Sequence, residues 1–299
     1  LIKEKLTLQG SIVALVTPLK RDQVDINGLK TNIEFQLKNK TAGFVPCGTT
    51  GEAPTLSEAE WVSVVETTVK TVNKRAPVIA GTGSNSTKKT IALTKKAKEL
   101  GVDAVLIVSP YYNKPTQEGL YRHFRAISDE VDLPMVVYNI PGRTGVNIFP
   151  KTLERLAKEC ANIIAVKEAS ASLDQASEII ARCGEQITVL SGDDSLTLPI
   201  LSIGGKGVIS VIANILPKDL AKMIEHYFNK EFESAAKLHQ KLFPLVKTLF
   251  IETNPIPIKT AMNLMGMSAG ELRLPLCEPS PESLTIIKKA LIDYGIKIK

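Results

Sequence analysis

Lys167 follows the apolar run Ile163, Ile164, Ala165 and Val166, so its side chain is expected to start from the C-terminal edge of a buried strand. Burial of a lysine disfavours the charged form and leaves neutral amine able to add to a ketone carbonyl. The structural alternative is a lysine that lays its stem on apolar surface and reaches solvent at the strand end, and the neighbouring segments must decide. Tyr138 stands in the same position after Met135, Val136 and Val137. A phenol there can pass protons to and from a carbinolamine, or can simply hydrogen-bond backbone at a rim. The segment NIPGRTG at 139–145 reads as a loop carrying Arg143, whose planar fork suits a carboxylate if it is not merely a surface cation.

Two further segments carry polar groups at strand ends. In GTTGE at 48–52 the glycines allow a tight turn, and the hydroxyls of Thr49 and Thr50 with nearby N–H groups can hold a carboxylate. By itself this is a weak signal. SPYY at 109–112 puts Tyr112 in a paired-tyrosine segment, more often a packing or interface feature than a catalytic one. The glycines at 81 and 83 and at 204, 205 and 207 complete neither a dinucleotide fingerprint nor a phosphate loop and are assigned to turns.

The elements that must position these residues follow from hydrophobic pattern. Short apolar runs rich in β-branched residues recur near 11, 43, 77, 104, 135, 163, 187 and 207, with helical patterns between them. That spacing fits eight βα units of about 30 residues each. Ser57 and Glu60 make a capping box ahead of Val62, Val65, Val69 and Val72, Pro150 opens another helix, and Gly101 and Gly184 follow helix ends. From Pro217 onward the sequence reads as wholly helical, the last helix opened by Ser280 and Pro281 and closed near Gly295. The expected fold class is α/β, and a (β/α)8 TIM barrel over residues 1–216 with a C-terminal helical bundle over 217–299 explains the pattern better than a doubly wound sheet, although eight alternating units do not by themselves fix closure. In a barrel, Thr49, Tyr112, Tyr138 and Lys167 come from four different βα junctions and converge on the C-terminal face, where barrel active sites lie.

Composition narrows the function classes. The 299 residues suit one barrel with an appendage, and the 44% apolar and 23% charged fractions are those of an ordinary globular chain. A net charge of +6 comes from scattered lysines with no basic block interleaved with aromatics, so anionic small molecules are favoured over nucleic acid. No apolar run has the length of a membrane span, and the first, ending at Pro18, reads as a strand. Four cysteines without CxxC or zinc-like spacing suggest reduced thiols, and three histidines without an HxxxH pair point away from a histidine metal site. Neither cofactor nor metal is expected, and cytosol is the expected location.

Taken with SPYYNKP at 109–115, YNIPGRTG at 138–145, KEA at 167–169, SGDD at 191–194, GVISV at 207–211 and NPIPIK at 254–259, the chain resembles the dihydrodipicolinate synthase family, within the superfamily that includes N-acetylneuraminate lyase. The resemblance runs almost end to end. It implies a pyruvate imine on Lys167, a proton-transferring Tyr138, and a pyruvate carboxylate held by Thr50 and nearby N–H groups. It further implies that Thr49 links Tyr138 to a Tyr112 reaching in from a neighbouring subunit, within a dimer of dimers. Arg143 would bind the carboxylate of L-aspartate 4-semialdehyde, the Ile209 carbonyl would sit beside the keto acid, and Gly192 joins the substrate-binding set. The implied product is 4-hydroxy-tetrahydrodipicolinate, on the route to diaminopimelate and lysine. Sialic acid lyases and keto-deoxy-sugar-acid aldolases share the imine, but resemblance associates Arg143 and the Thr-Thr pair with the synthase. A catalytically silent basic binding module is disfavoured by the full set of chemical residues.

Overall fold

The computed structural model describes residues 6–299. Eight strands recur in chain order, β1 (Gly10–Ala14), β2 (Gly43–Val45), β3 (Ile79–Gly81), β4 (Ala104–Val108), β5 (Met135–Asn139), β6 (Ile163–Glu168), β7 (Thr188–Ser191) and β8 (Gly207–Ser210). They lie in one sheet in the order β2-β1-β8-β7-β6-β5-β4-β3. With Phe44 of β2 bridged in parallel to Val78, immediately before β3, this is the order of a (β/α)8 barrel. By internal contacts the chain falls into two compact units. One is Ile79–Ile209 with residues 6–9, and the other is Gly10–Val78 with Ser210–Lys299.

In the first unit the parallel register places Val137 opposite Val166, Tyr138 opposite Lys167 and Asn139 opposite Glu168. Every residue of β5 and β6 is buried, because helices cover parallel strands on both faces. Four polar side chains, those of Tyr138, Asn139, Lys167 and Glu168, are therefore enclosed where the two strands end, and each needs partners to offset the loss of water. β5 runs two residues further than the apolar triplet suggests, so Tyr138 lies inside the strand. Pro150 is the first residue of helix Pro150–Glu159, and Gly184 follows helix Leu173–Cys183 with φ of 54°.

In the second unit the capping box forms as read. Ser57 Oγ accepts from the Glu60 N–H at 3.3 Å, and the Ser57 N–H donates to Glu60 Oε2 at 2.9 Å. The buried face of helix Glu58–Val72 is Trp61, Val64, Val65, Thr68 and Val72. Val62 and Val69 are only half-buried, because the large Trp61 sets the inward direction and turns the face by one position.

The region after Pro217 departs from the wholly helical reading. Helices Pro217–Phe228, Phe232–Thr248, Ile256–Leu264 and Pro281–Tyr294 are present, but residues 265–280 are not helical. Gly266 and Gly270 take positive φ of 73° and 68°, which ends the helix and lets the chain run back along Leu19. Leu19 N–H donates to the Ala269 carbonyl and Glu271 N–H to the Leu19 carbonyl, each at 3.2 Å. A Cβ on Gly270 would lie 1.7 Å from the Leu19 carbonyl oxygen, so only glycine allows this approach. Among the described residues no helix is long and apolar enough to cross a membrane.

Candidate active site

In the first unit, Lys167 and Tyr138 are 6% and 5% exposed. Their strands are neighbours and their residues are register partners, which brings the Lys167 Nζ to 4.1 Å from the centre of the Tyr138 ring. The Tyr138 carbonyl is taken by Ser109, whose N–H and Oγ donate at 2.9 and 3.3 Å, so the end of β4 braces the tyrosine's backbone. The lysine is thus an enclosed amine next to a phenol. It does not snorkel to solvent.

Gly192 follows β7 and borders the same lysine. Its N–H donates to the Glu168 carbonyl at 2.7 Å, and an added Cβ would meet Ala169 Cβ at 2.6 Å and Lys167 Cγ at 3.1 Å. Glycine is required here by close approach. Gly192→Ala is expected to push the Lys167 stem aside and lower kcat by about 10- to 100-fold, checked by steady-state kinetics alongside a melting curve. Unchanged kcat would show that this approach is not needed.

Arg143 does not sit on an irregular loop. Pro141–Thr144 is one helical turn, opened by Pro141 and closed by Gly145 at φ of 71°, the proline-first, glycine-last arrangement that the NIPGRTG segment carries. Arg143 itself is exposed, while buried Thr144 ties the turn with Oγ1 donating to the Ile140 and Val146 carbonyls at 3.0 and 2.9 Å. The Tyr112 N–H donates to the Thr144 carbonyl at 3.3 Å, which joins the paired-tyrosine segment to the Arg143 turn. Tyr112 has φ of 73° and is 88% exposed. Among the described residues no hydrogen bond or ring contact links it to Tyr138. Ile209 is buried near the end of β8, one residue past the Val208–Ser191 pair.

In the second unit, GTTGE forms a tight turn preceded by left-handed Cys47 and ending in left-handed Glu52, each at φ of 54°. Gly51 and Ala53 N–H groups donate to the Gly48 carbonyl at 3.1 and 3.3 Å, and Glu52 N–H to the Thr49 carbonyl at 3.1 Å. These donors are used within the turn, which leaves the N–H groups of Thr49 and Thr50 outside its internal bonds. Thr49 is half-buried and Thr50 is 2% exposed. Burial pushes the Cys47 thiol far above its ordinary range, which makes it no nucleophile beside the turn.

Sequence reasoning missed what holds this turn. Asn254 Nδ2 donates to Thr50 Oγ1 at 3.0 Å. Glu52 and Lys259 form an ion pair at 2.6 Å with both side chains 1% exposed. The ammonium also donates to the Thr17 carbonyl at 3.3 Å and to the Glu271 carbonyl, and the Arg273 N–H donates to Glu52 Oε2 at 3.2 Å. Burial pulls Lys259 below its ordinary pKa, opposed by the charge of Glu52. The available signal was a lysine directly after the apolar run Pro255, Ile256, Pro257 and Ile258, since fully buried lysines are rare unless paired.

A model of the dihydrodipicolinate synthetase family matches residues 7–293. The 4-hydroxy-tetrahydrodipicolinate synthase of Thermodesulfovibrio yellowstonii is 54% identical over 288 residues, which cover 96% of this chain and 99% of that one. The crystal structure of dihydrodipicolinate synthase from Aquifex aeolicus is 50% identical with a TM-score of 0.96, covering 98% of this chain and all of that one (100%). A solved monomeric dihydrodipicolinate synthase variant is 44% identical with a TM-score of 0.95, covering 96% of this chain and 97% of its own. In fold, in motifs and over nearly its whole length, the chain belongs to the dihydrodipicolinate synthetase family.

Proposed function

We infer that the chain condenses pyruvate with L-aspartate 4-semialdehyde to 4-hydroxy-tetrahydrodipicolinate, in lysine biosynthesis. The observation that carries the reading is the enclosed Lys167 amine 4.1 Å from the Tyr138 ring centre. The neutral amine adds to the pyruvate ketone, and loss of water leaves an imine. The imine acidifies the methyl group, which loses a proton to give an enamine. The enamine carbon attacks the aldehyde carbon and forms the new C–C bond, with a proton delivered to the aldehyde oxygen. The amine of the second substrate then adds to the imine carbon, the bond to Lys167 breaks, and the ring closes with the lysine regenerated. Over the cycle one water is released.

Tyr138 serves as proton donor and acceptor in imine formation and deprotonation. The N–H groups of Thr49 and Thr50 and the Thr50 hydroxyl hold the pyruvate carboxylate, a role supported by their freedom from bonds within the turn. Thr49 and Tyr112 relay protons to Tyr138, with Tyr112 supplied by a partner subunit. Arg143 takes the carboxylate of the semialdehyde, and Gly192 and the Ile209 carbonyl border the keto acid. The barrel, 1–216, carries the chemistry, and the helical region, 217–299, braces the threonine turn through Asn254 and Lys259. The family's biosynthetic role supports a cytoplasmic location.

Tyr138→Phe keeps the ring beside Lys167 and removes only the hydroxyl, so turnover is expected to fall by about 10²- to 10⁴-fold, with imine formation slowed in rapid-mixing traces. Wild-type imine rates would remove Tyr138 from the proton path. The exposed Tyr112 supports a dimer of dimers, and the monomeric relative is the contrary precedent. Sedimentation across concentration is expected to show specific activity falling as the oligomer dissociates, and full activity in a monomer would contradict a shared relay. The function itself is tested by comparing acceptors with pyruvate held constant. L-aspartate 4-semialdehyde is expected to be consumed far faster than N-acetylmannosamine or glyceraldehyde, and the opposite order would overturn the reading in favour of a sugar-acid aldolase.

A further inference from the structure

Directly behind Lys167 and Tyr138 lies a polar cluster that the reaction does not use. Side chains alternate faces along a strand, so Asn139 and Glu168, which follow Tyr138 and Lys167 and are register partners in turn, lie on the opposite face of β5 and β6. They are 0% and 2% exposed. Asn139 Nδ2 donates to the two Glu168 oxygens at 3.3 and 3.1 Å and to Asn147 Oδ1 at 2.8 Å. Asn139 Oδ1 accepts from the Ile148 N–H at 3.1 Å. Glu168 also accepts from the Ser170 N–H at 2.7 Å and from Gln175 Nε2 at 3.1 Å. Gln175, on helix Leu173–Cys183, and Asn147 are joined by two bonds of 2.7 and 3.1 Å.

Two features mark this cluster as more than filling. First, these donors are all neutral, and among the described residues Glu168 has no ion pair. A carboxylate buried this way is costly, and apolar side chains of similar volume would fill the space without that cost. Second, the cluster sits where the backbone ladder between β5 and β6 runs out, at the bond from Ala169 N–H to the Asn139 carbonyl of 2.9 Å. Beyond it only side chains can hold the two strand ends in register. The Glu168 carbonyl meanwhile accepts the Gly192 N–H at 2.7 Å, so one residue ties β5, β6 and the segment after β7.

We propose that Asn139 and Glu168, braced by Gln175 and Asn147, are positioning residues that lock the ends of β5 and β6 so that the Lys167 amine stays beside the Tyr138 phenol. The proposal rests on Lys167 being the Schiff-base residue. The requirement is geometric, with donor on β5 and acceptor on β6, and reversing both should satisfy it again because Asn147 and Gln175 can turn their amides to match.

The experiment measures the rate of pyruvate imine formation on the full-length protein by borohydride quench and mass mapping, with melting temperature recorded for each variant. Glu168→Gln replaces one of the two oxygens facing Asn139 by an NH2 group, Asn139→Asp sets two carboxyl groups against each other, and each is expected to slow imine formation by about 10- to 100-fold, as misplacement of a reacting group does, with pyruvate KM little changed. The exchanged double variant, Asn139→Asp with Glu168→Gln, is expected to return to within about threefold of wild type. Single variants with the wild-type rate, or a double variant no faster than the singles, would overturn the proposal. If the single variants do not fold, Gln175→Met removes one donor and leaves the Asn139–Glu168 pair. A several-fold slower imine step is then expected, and an unchanged one overturns the proposal. Should wild-type protein carry its adduct elsewhere than Lys167, the Schiff-base reading fails and the clamp with it, whereas an adduct on Lys167 that forms at the wild-type rate in the variants overturns the clamp alone.

Discussion

Lys167→Ala is expected to lose at least about 10⁴-fold in condensing activity, the scale of removing a covalent nucleophile, while remaining folded. The side chain stands on β6 at 6% exposure against Tyr138, and alanine leaves the strand's backbone bonds untouched. Lys167→Arg is the sharper control. It keeps the positive charge and most of the volume, but a guanidinium is not deprotonated in proteins and forms no imine with a keto acid under these conditions. A charge or packing role for Lys167 would leave the arginine variant partly active, whereas a nucleophilic role leaves it as inactive as the alanine variant. Coupled assays on both proteins, matched by circular dichroism, distinguish the two. More than about one per cent of wild-type turnover in Lys167→Arg, set against the fold loss expected for a missing nucleophile, would exclude imine catalysis through this residue.

The second large effect concerns stability and carries into function. Glu52 and Lys259 are both 1% exposed and 2.6 Å apart. Removing one member leaves the other charged in a dry site, which costs about 3–5 kcal/mol. Glu52→Gln and Lys259→Met are each expected to lower the melting temperature by about 5–8 °C, by the usual conversion for a chain of this size. Each should also weaken pyruvate binding, because Glu52 closes the turn bearing Thr49 and Thr50. The combined Glu52→Gln, Lys259→Met variant is expected to be less damaged than the sum of the single losses, since no orphaned charge remains. Additive losses in calorimetry would show that the two groups do not depend on each other.

Several elements were legible in the sequence because local chemistry decided them. The capping box at Ser57 and Glu60, the proline opening at Pro150 and the glycine ends at 184 and 295 need only a few neighbouring residues, and all are present. The strand-end position of Lys167 followed from the apolar run before it. What failed depended on long-range packing. Trp61 turned its helix by one position. Gly270 was fitted to Leu19, some 250 residues away, and no periodicity reports such a pairing. The same holds for Asn254 with Thr50 and Lys259 with Glu52, separated by 204 and 207 residues. The clamp of Asn139 and Glu168 was hidden differently. Both residues adjoin the reactive pair, yet their role depends on strand register, and register is a property of the assembled sheet.

Trapping tests the Schiff base most directly. The full-length protein is incubated with pyruvate, reduced with borohydride, weighed intact and digested to locate the modification, with L-aspartate 4-semialdehyde added in a parallel sample before reduction. One reduced pyruvate on Lys167 is expected, together with loss of activity, no adduct in Lys167→Ala, and less adduct when the semialdehyde draws the imine forward into product. An adduct of the same mass in Lys167→Ala, or no adduct in an active wild-type preparation, would contradict the assignment of Lys167 as the residue on which the reaction is built.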